Sequence, residues 1–130
     1  MDTRNINVIT LAYLGDAIYE VYIRKYLIEK GTALVEDLQK SAIKYVSAKG
    51  QSAILRNLEE SNFFSEEELD VIRRGRNYKR ASHPKNTDII TYKNSTGFEA
   101  LIGYLYLEGK NDRLDEIIDK ILEEDYEKNN

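Results

Sequence analysis

The chain has 130 residues, a formal net charge of −4, one Pro, seven Gly and no Cys. That length predicts a single domain, residues 1–130, with a real core and little room for a second module. The missing Cys excludes disulfides, thiolate zinc sites and cysteine nucleophiles, and no apolar run is long enough for a signal peptide or a bilayer span, so a soluble cytoplasmic protein without membrane contact is expected.

Apolar residues recur at three- and four-residue intervals, which predicts an all-α fold. From about Asn5 to Glu29 the pattern predicts one long helix with Leu11, Leu14, Ile18, Val21 and Ile28 on a stripe, stopped by Gly31. Tyr13, Ala17, Tyr19, Tyr22, Ile23 and Tyr26 fall outside that stripe, which suggests burial on more than one side, or tyrosines packed within the chain with their hydroxyls at the surface. A second helical region, about Val35 to Leu58, carries Leu38, Ala42, Ile43, Val46, Ala53, Ile54 and Leu58, with an interruption expected near Gly50. Ser65 and Glu68 form a capping-box pattern for a third helix, with Phe64 and Leu69 as its hydrophobic staple. That helix runs into a basic stretch from Arg73 to Arg80, and Ala81 to Asn86 reads as a loop around Pro84. Another helix is expected to start between Thr87 and Thr96 and to end at Leu107 before Gly109. The last, about Asp112 to Tyr126, places Leu114, Ile117, Ile118, Ile121 and Leu122 on one face, and Glu127 to Asn130 read as a frayed tail.

Charge is segregated along this chain. Seven Lys/Arg and one acid, Asp88, lie between Val71 and Lys93, a local +6 in an otherwise acidic protein. Such segregation points to one polyanion-facing surface. Arg73, Arg74, Arg76, Asn77, Lys79, Arg80 and Lys85, in a basic loop at about 73–86, are the candidate phosphate contacts; the alternative is a solvated charged loop. The only His, His83, lies in the same loop and suits RNA contact or plain solvation better than chemistry.

Two segments place a carboxylate inside an apolar helical pattern: Asp16 within Leu11 to Glu20, and Glu99 within Thr96 to Leu107. A charge there is costly unless neutralised, and a divalent cation shared by the two would neutralise both. Each also has an ordinary explanation. Asp16 could pair with a neighbouring base, and Thr96-x-x-Glu99 is itself a capping-box pattern. Gly15 and Gly103 each cost about 1 kcal/mol against Ala in a helix, which points to close backbone packing at both places. Two helices crossing there would bring Asp16 and Glu99 together. Glu20 could orient a water beside Asp16 or pair with Arg24 one turn on.

The run Leu11-Ala12-Tyr13-Leu14-Gly15-Asp16-Ala17 resembles the signature helix of ribonuclease III, and Phe98-Glu99-Ala100-Leu101-Ile102-Gly103 with Tyr106-Leu107 resembles that family's second catalytic helix. Arg73-Arg74-Gly75-Arg76-Asn77, Pro84-Lys85-Asn86 and the approach Thr91-Tyr92 to Ser95-Thr96 are similar to the mini-ribonuclease III subgroup, a catalytic domain without a double-stranded-RNA-binding domain. The resemblance implies a homodimeric helical endonuclease that hydrolyses double-stranded RNA to 5′-phosphate and 3′-hydroxyl ends. It implies Asp16 and Glu99 as catalytic ligands of Mg2+, with Mn2+ able to substitute, and Glu20 and Thr96 standing behind them. It implies precursor 23S (large-subunit) ribosomal RNA as substrate, with a ribosomal protein on that RNA as a further candidate partner. The sequence departs from the family where full-length enzymes carry more carboxylates: those positions are Ile9, Ala12 and Thr96. The competing expectations are a ribonuclease III-fold RNA-binding or ribosome-assembly factor that has lost catalysis, and a helical adaptor with no nucleic-acid role.

Overall fold

The computed structural model describes residues 2–31, 34–79, 85 and 87–128, with side chains up to Glu123. Among the described residues, a 3-10 turn at Thr3–Asn5 is followed by six helices: α1 Val8–Glu29, α2 Val35–Val46, α3 Ala48–Glu60, α4 Glu66–Arg76, α5 Ile89–Leu107 and α6 Asn111–Lys128. Among the described residues there is no strand, and no helix is long and apolar enough to cross a membrane. Of the loop expected around Pro84, only Lys85 is among the described residues; Arg80, His83, Pro84 and Asn86 lie outside them.

Helix α5 is the centre of the fold. Every residue from Asn94 to Leu105 is buried except Glu99, which is half-buried. A helix this apolar on all sides needs neighbours all round, and α1, α3, α4 and α6 supply them. Helix α1 runs antiparallel to α5 along most of its length, with Tyr19 edge-on to Phe98 at 4.9 Å and, towards the other end, the Thr3 hydroxyl donating to Glu108.

The buried line of α1 is Val8, Leu11, Ala12, Gly15, Tyr19, Ile23 and Leu27. This corrects the expected stripe: Leu11 is in the core, but Val21 and Ile28 are 64% and 62% exposed. The helix is apolar nearly all round, so periodicity alone left the direction of its core face open. Of the tyrosines off that stripe, Tyr22 donates to Asp115 of α6 at 2.8 Å, Tyr26 meets Tyr45 edge-on, and Tyr13 is exposed. The break in the second helical region comes at Ser47, three residues before Gly50. Ser47 ends α2 and caps α3, its hydroxyl accepting from the Gly50 amide at 3.0 Å. Ile43 and Ala53, expected inside, are exposed.

The capping box of α4 forms with both of its bonds: Ser65 Oγ accepts from the Glu68 amide at 3.2 Å, and Glu68 Oε1 accepts from the Ser65 amide at 2.9 Å. Glu68 also ties α4 to α6. It is buried and accepts from Arg113 Nε and Nη2, both at 2.8 Å, while Arg113 donates to the Phe63 carbonyl at 2.7 Å. Burial alone would raise the Glu68 pKa, but the Arg113 and Ser65 bonds outweigh it and hold the carboxyl below the ordinary glutamate value. The sign follows directly: this pair's contribution to stability is complete above the ordinary carboxylate range and is lost as pH falls through the depressed native value. Arg113→Met strands the buried carboxylate and is expected to cost about 3 kcal/mol near neutral pH. The gap between urea melts of the two proteins should narrow in acid, as protonation of Glu68 removes the ion-pair part and leaves only the lost Phe63 bond; a gap independent of pH would exclude the ion pair as its source.

Candidate active site

Helices α1 and α5 approach each other closely at two glycines. A Cβ built on Gly15 would lie 1.8 Å from the Glu99 carbonyl oxygen, and one built on Gly103 would lie 2.0 Å from the Leu11 carbonyl oxygen. Only a residue without Cβ permits backbones this close. The two helices that carry Asp16 and Glu99 therefore cross where the glycine spacing suggested. Asp16 directly follows Gly15, and Glu99 contributes the carbonyl that touches it.

The two carboxylates sit in different surroundings. Asp16 is exposed, and among the described residues no hydrogen bond or ion pair engages it. Glu99 is the one half-buried residue in an otherwise buried stretch, and its Oε2 accepts from Gln51 Nε2 at 3.5 Å. The capping-box explanation of Glu99 does not hold. Helix α5 starts seven residues before Thr96, at Ile89, with Asp88 as its cap accepting from the Thr91 amide at 2.9 Å. Thr96 is mid-helix and buried, its hydroxyl donating back to the Tyr92 carbonyl at 3.0 Å.

Glu20 pairs with Arg24 at 2.7 Å on an exposed face, the ordinary use foreseen for it. Ala12 and Thr96, where full-length ribonucleases III carry carboxylates, are buried, so an acid at either would carry a desolvation cost. Among the described residues no group of three or more His, Cys, Asp or Glu side chains is arranged to hold a metal ion. Two hard carboxylate oxygens on facing helices, one of them open to solvent, nevertheless suit a small dication that keeps most of its waters.

The basic residues separate by environment. Arg73 pairs with Asp70 on the surface. Arg76 is half-buried and already engaged: it pairs with Glu59 and donates to Asn94 Oδ1 at 2.8 Å. Asn77 caps the end of α4; Lys79 and Lys85 are exposed, and Arg74 is half-buried. Lys79 lines a recess of about 280 Å³ with Gly75, Tyr78, Tyr92, Lys93 and Thr96, which begins one turn before Glu99 on α5. Lys93 was counted in the basic segment but not singled out, because nothing local shows that it shares a recess with Lys79. Gln51 was missed for a stronger reason: an isolated Gln carries no sequence signal.

The ribonuclease III domain family matches residues 9–110 of the chain. The mini-ribonuclease 3 of Symbiobacterium thermophilum is 51% identical over 110 residues, covering 85% of this chain and 83% of that protein. The mini-ribonuclease 3 of Brevibacillus brevis is 50% identical over 117 residues, covering 90% and 86%. A crystal structure of a Fusobacterium nucleatum protein superposes with a TM-score of 0.83 at 33% identity, covering 95% of this chain and 98% of that one. The all-helical architecture, the signature segments and these likenesses agree: the chain belongs to the ribonuclease III family, in its mini-ribonuclease III group, and is an endoribonuclease.

Proposed function

We propose that the chain cleaves double-stranded RNA as a Mg2+-dependent homodimer and matures the ends of precursor 23S ribosomal RNA in the cytoplasm, residues 1–130 acting as one catalytic domain. The observation that carries this reading is the glycine-to-backbone crossing of α1 and α5 beside Asp16 and Glu99. Asp16 and Glu99 would hold the ion. When bound, it supplies polarisation of the scissile phosphate, activation of the attacking water and stabilisation of the departing oxygen; Mn2+ can take the same place. Glu99, fixed in the core by α5, sets the position of the site, while exposed Asp16 faces the solvent side from which a duplex arrives. Thr96 stands one turn behind Glu99, and Glu20 one turn beyond Asp16. No side-chain nucleophile is required.

Arg74, Lys79 and Lys85, with Arg73 and Asn77 beside them and Arg80 outside the described residues, are read as the phosphate-facing group. A-form RNA hides its major groove, so this recognition is by shape and phosphate spacing. Arg76 belongs to this reading least, because its charge is already shared with Glu59. Dimer formation is supported by an apolar surface shared by α1 and α2. Tyr13, Val21 and Ile28 are exposed on α1, and Val35 and Ile43 on α2; Ile28, Val35 and Ile43 line a groove of about 440 Å³ with Leu38 and with the polar Glu20, Arg24 and Gln39. A ribosomal protein on the substrate completes the proposed set of partners.

The test is incubation of the pure protein with a long RNA duplex and Mg2+. Cleavage to 5′-phosphate and 3′-hydroxyl ends, abolished by a chelator and restored by Mg2+ or Mn2+, is expected. Lys79→Ala should weaken binding to all duplexes alike and reduce the salt slope of affinity by about 1. Tight, salt-sensitive binding without cleavage would favour the non-catalytic RNA-binding factor instead, and no salt-sensitive binding at all would favour the adaptor.

A further inference from the structure

The contact between α3 and α5 contains a buried polar seam within a mainly apolar core. Consecutive residues of α3, Gln51 and Ser52, meet consecutive residues of α5, Ser95 and Asn94. Ser95 Oγ donates to Gln51 Oε1 at 2.7 Å, and Asn94 Nδ2 donates to Ser52 Oγ at 3.0 Å. All four are buried, and Gln51 is wholly so. Arg76, which donates to Asn94 at 2.8 Å and pairs with Glu59, extends the seam to α4. A buried polar seam has a defined geometry that an apolar interface lacks, because sliding or rotating either helix leaves its groups unpaired.

Gln51 also reaches out of the seam. Its Nε2 donates to the Val46 carbonyl at 3.2 Å and to Glu99 Oε2 at 3.5 Å. Two acceptors on one side and the Ser95 hydroxyl on the other determine the amide orientation, since the flipped amide would set its oxygen against a carbonyl and a carboxylate. The donor is neutral. A Lys or Arg here would neutralise Glu99 and repel a dication, whereas an amide orients the carboxylate and leaves its charge intact.

We propose that Gln51 is a positioning residue for the cleavage reaction: locked by Ser95 and Val46, it holds one oxygen of Glu99 so that the carboxylate presents itself to the divalent ion in a single orientation. The inference rests on Glu99 being a metal ligand, as proposed above. Gln51→Met keeps the volume and removes the donor. It is expected to weaken Mn2+ binding to the RNA-free protein by about 10- to 100-fold, read by electron paramagnetic resonance of free Mn2+. Turnover at fixed Mg2+ should fall, recover in part at high Mg2+, and leave the KM for duplex unchanged. Ser52→Ala strands the Asn94 donor in the same seam but does not touch Glu99, so it should lower the thermal midpoint with no change in Mn2+ affinity. Ser95→Ala, which unlocks Gln51 without removing it, should shift Mn2+ affinity in the same direction by less, and serves if Gln51→Met does not fold. Glu99→Gln separates the two levels of the proposal. If Glu99→Gln retains Mn2+ binding, the metal-site reading fails. If Glu99→Gln loses it while Gln51→Met and Ser95→Ala match the parent, the positioning role of Gln51 alone is overturned.

Discussion

Asp16→Asn is expected to lower cleavage of a long RNA duplex by about 10³-fold or more, the equivalent of several kcal/mol of lost transition-state stabilisation. Folding and duplex affinity should be retained. Asn has nearly the shape of Asp, and Asp16 is exposed with no hydrogen bond or ion pair among the described residues, so the native state loses no contact with the charge. What disappears is one of two anionic ligands, and a neutral amide oxygen is a much poorer donor to a hard dication. Glu99→Gln should act in the same direction with an added loss of stability, because the carboxylate that Gln51 Nε2 faces becomes a neutral amide. The measurement is turnover of a long duplex at saturating Mg2+, paired with a thermal melt and a binding isotherm in a chelator. Wild-type turnover by Asp16→Asn would remove Asp16 from the site.

Gly15→Ala and Gly103→Ala should be severely damaging although each adds a single methyl. In an ordinary helix each would gain about 1 kcal/mol in propensity. Here the new methyl would stand 1.8 Å from the Glu99 carbonyl oxygen or 2.0 Å from that of Leu11. Both obstacles are backbone, which no rotamer change can move aside, so the helices must separate by more than an ångström. Strain of this kind costs about 3 kcal/mol at the upper end of the ordinary overpacking range, or roughly a 10 °C drop in thermal midpoint for a domain of this size. Separation also carries Asp16 away from Glu99, and a misplacement of about 1 Å can cost 10²-fold in rate. The expected signature is a loss of turnover that persists at temperatures where a melt shows the variant fully folded. A variant that is less stable but fully active while folded would show that the crossing serves packing only.

Features that depend on near neighbours in the chain were readable in advance. The Ser65–Glu68 capping box formed as expected because both partners lie within one turn and need nothing from the rest of the fold. The stops at Gly31 and Gly109, with φ of +101° and +73°, are legible for the same reason. The face of α1 was not, since an almost uniformly apolar helix carries no phase, and Val21 and Ile28 were placed inside when they lie on the surface. The start of α5 was open between Thr87 and Thr96, with Thr96-x-x-Glu99 as the one capping pattern recognised there; the cap is Asp88, which that reading missed. Arg76 looked like its neighbours Arg73 and Arg74 because all are basic; its pairing with Glu59, 17 residues earlier, appears only once α3 and α4 are set side by side.

The amino-acid order by itself determined that the chain is helical, where its basic segment lies and which two apolar segments carry a carboxylate, because period, capping and charge are local properties. It also identified Gly15 and Gly103 as out of place in their helices. Only the tertiary structure decided that those glycines meet the opposing backbones, that Arg76 pairs with Glu59 and Asn94, and that Gln51 reaches Glu99 from another helix. Such contacts join residues 48 positions apart for Gln51 with Glu99 and still more for α1 with α5. They depend on the angle and depth at which helices cross, which the shape of the whole core decides and no single segment encodes.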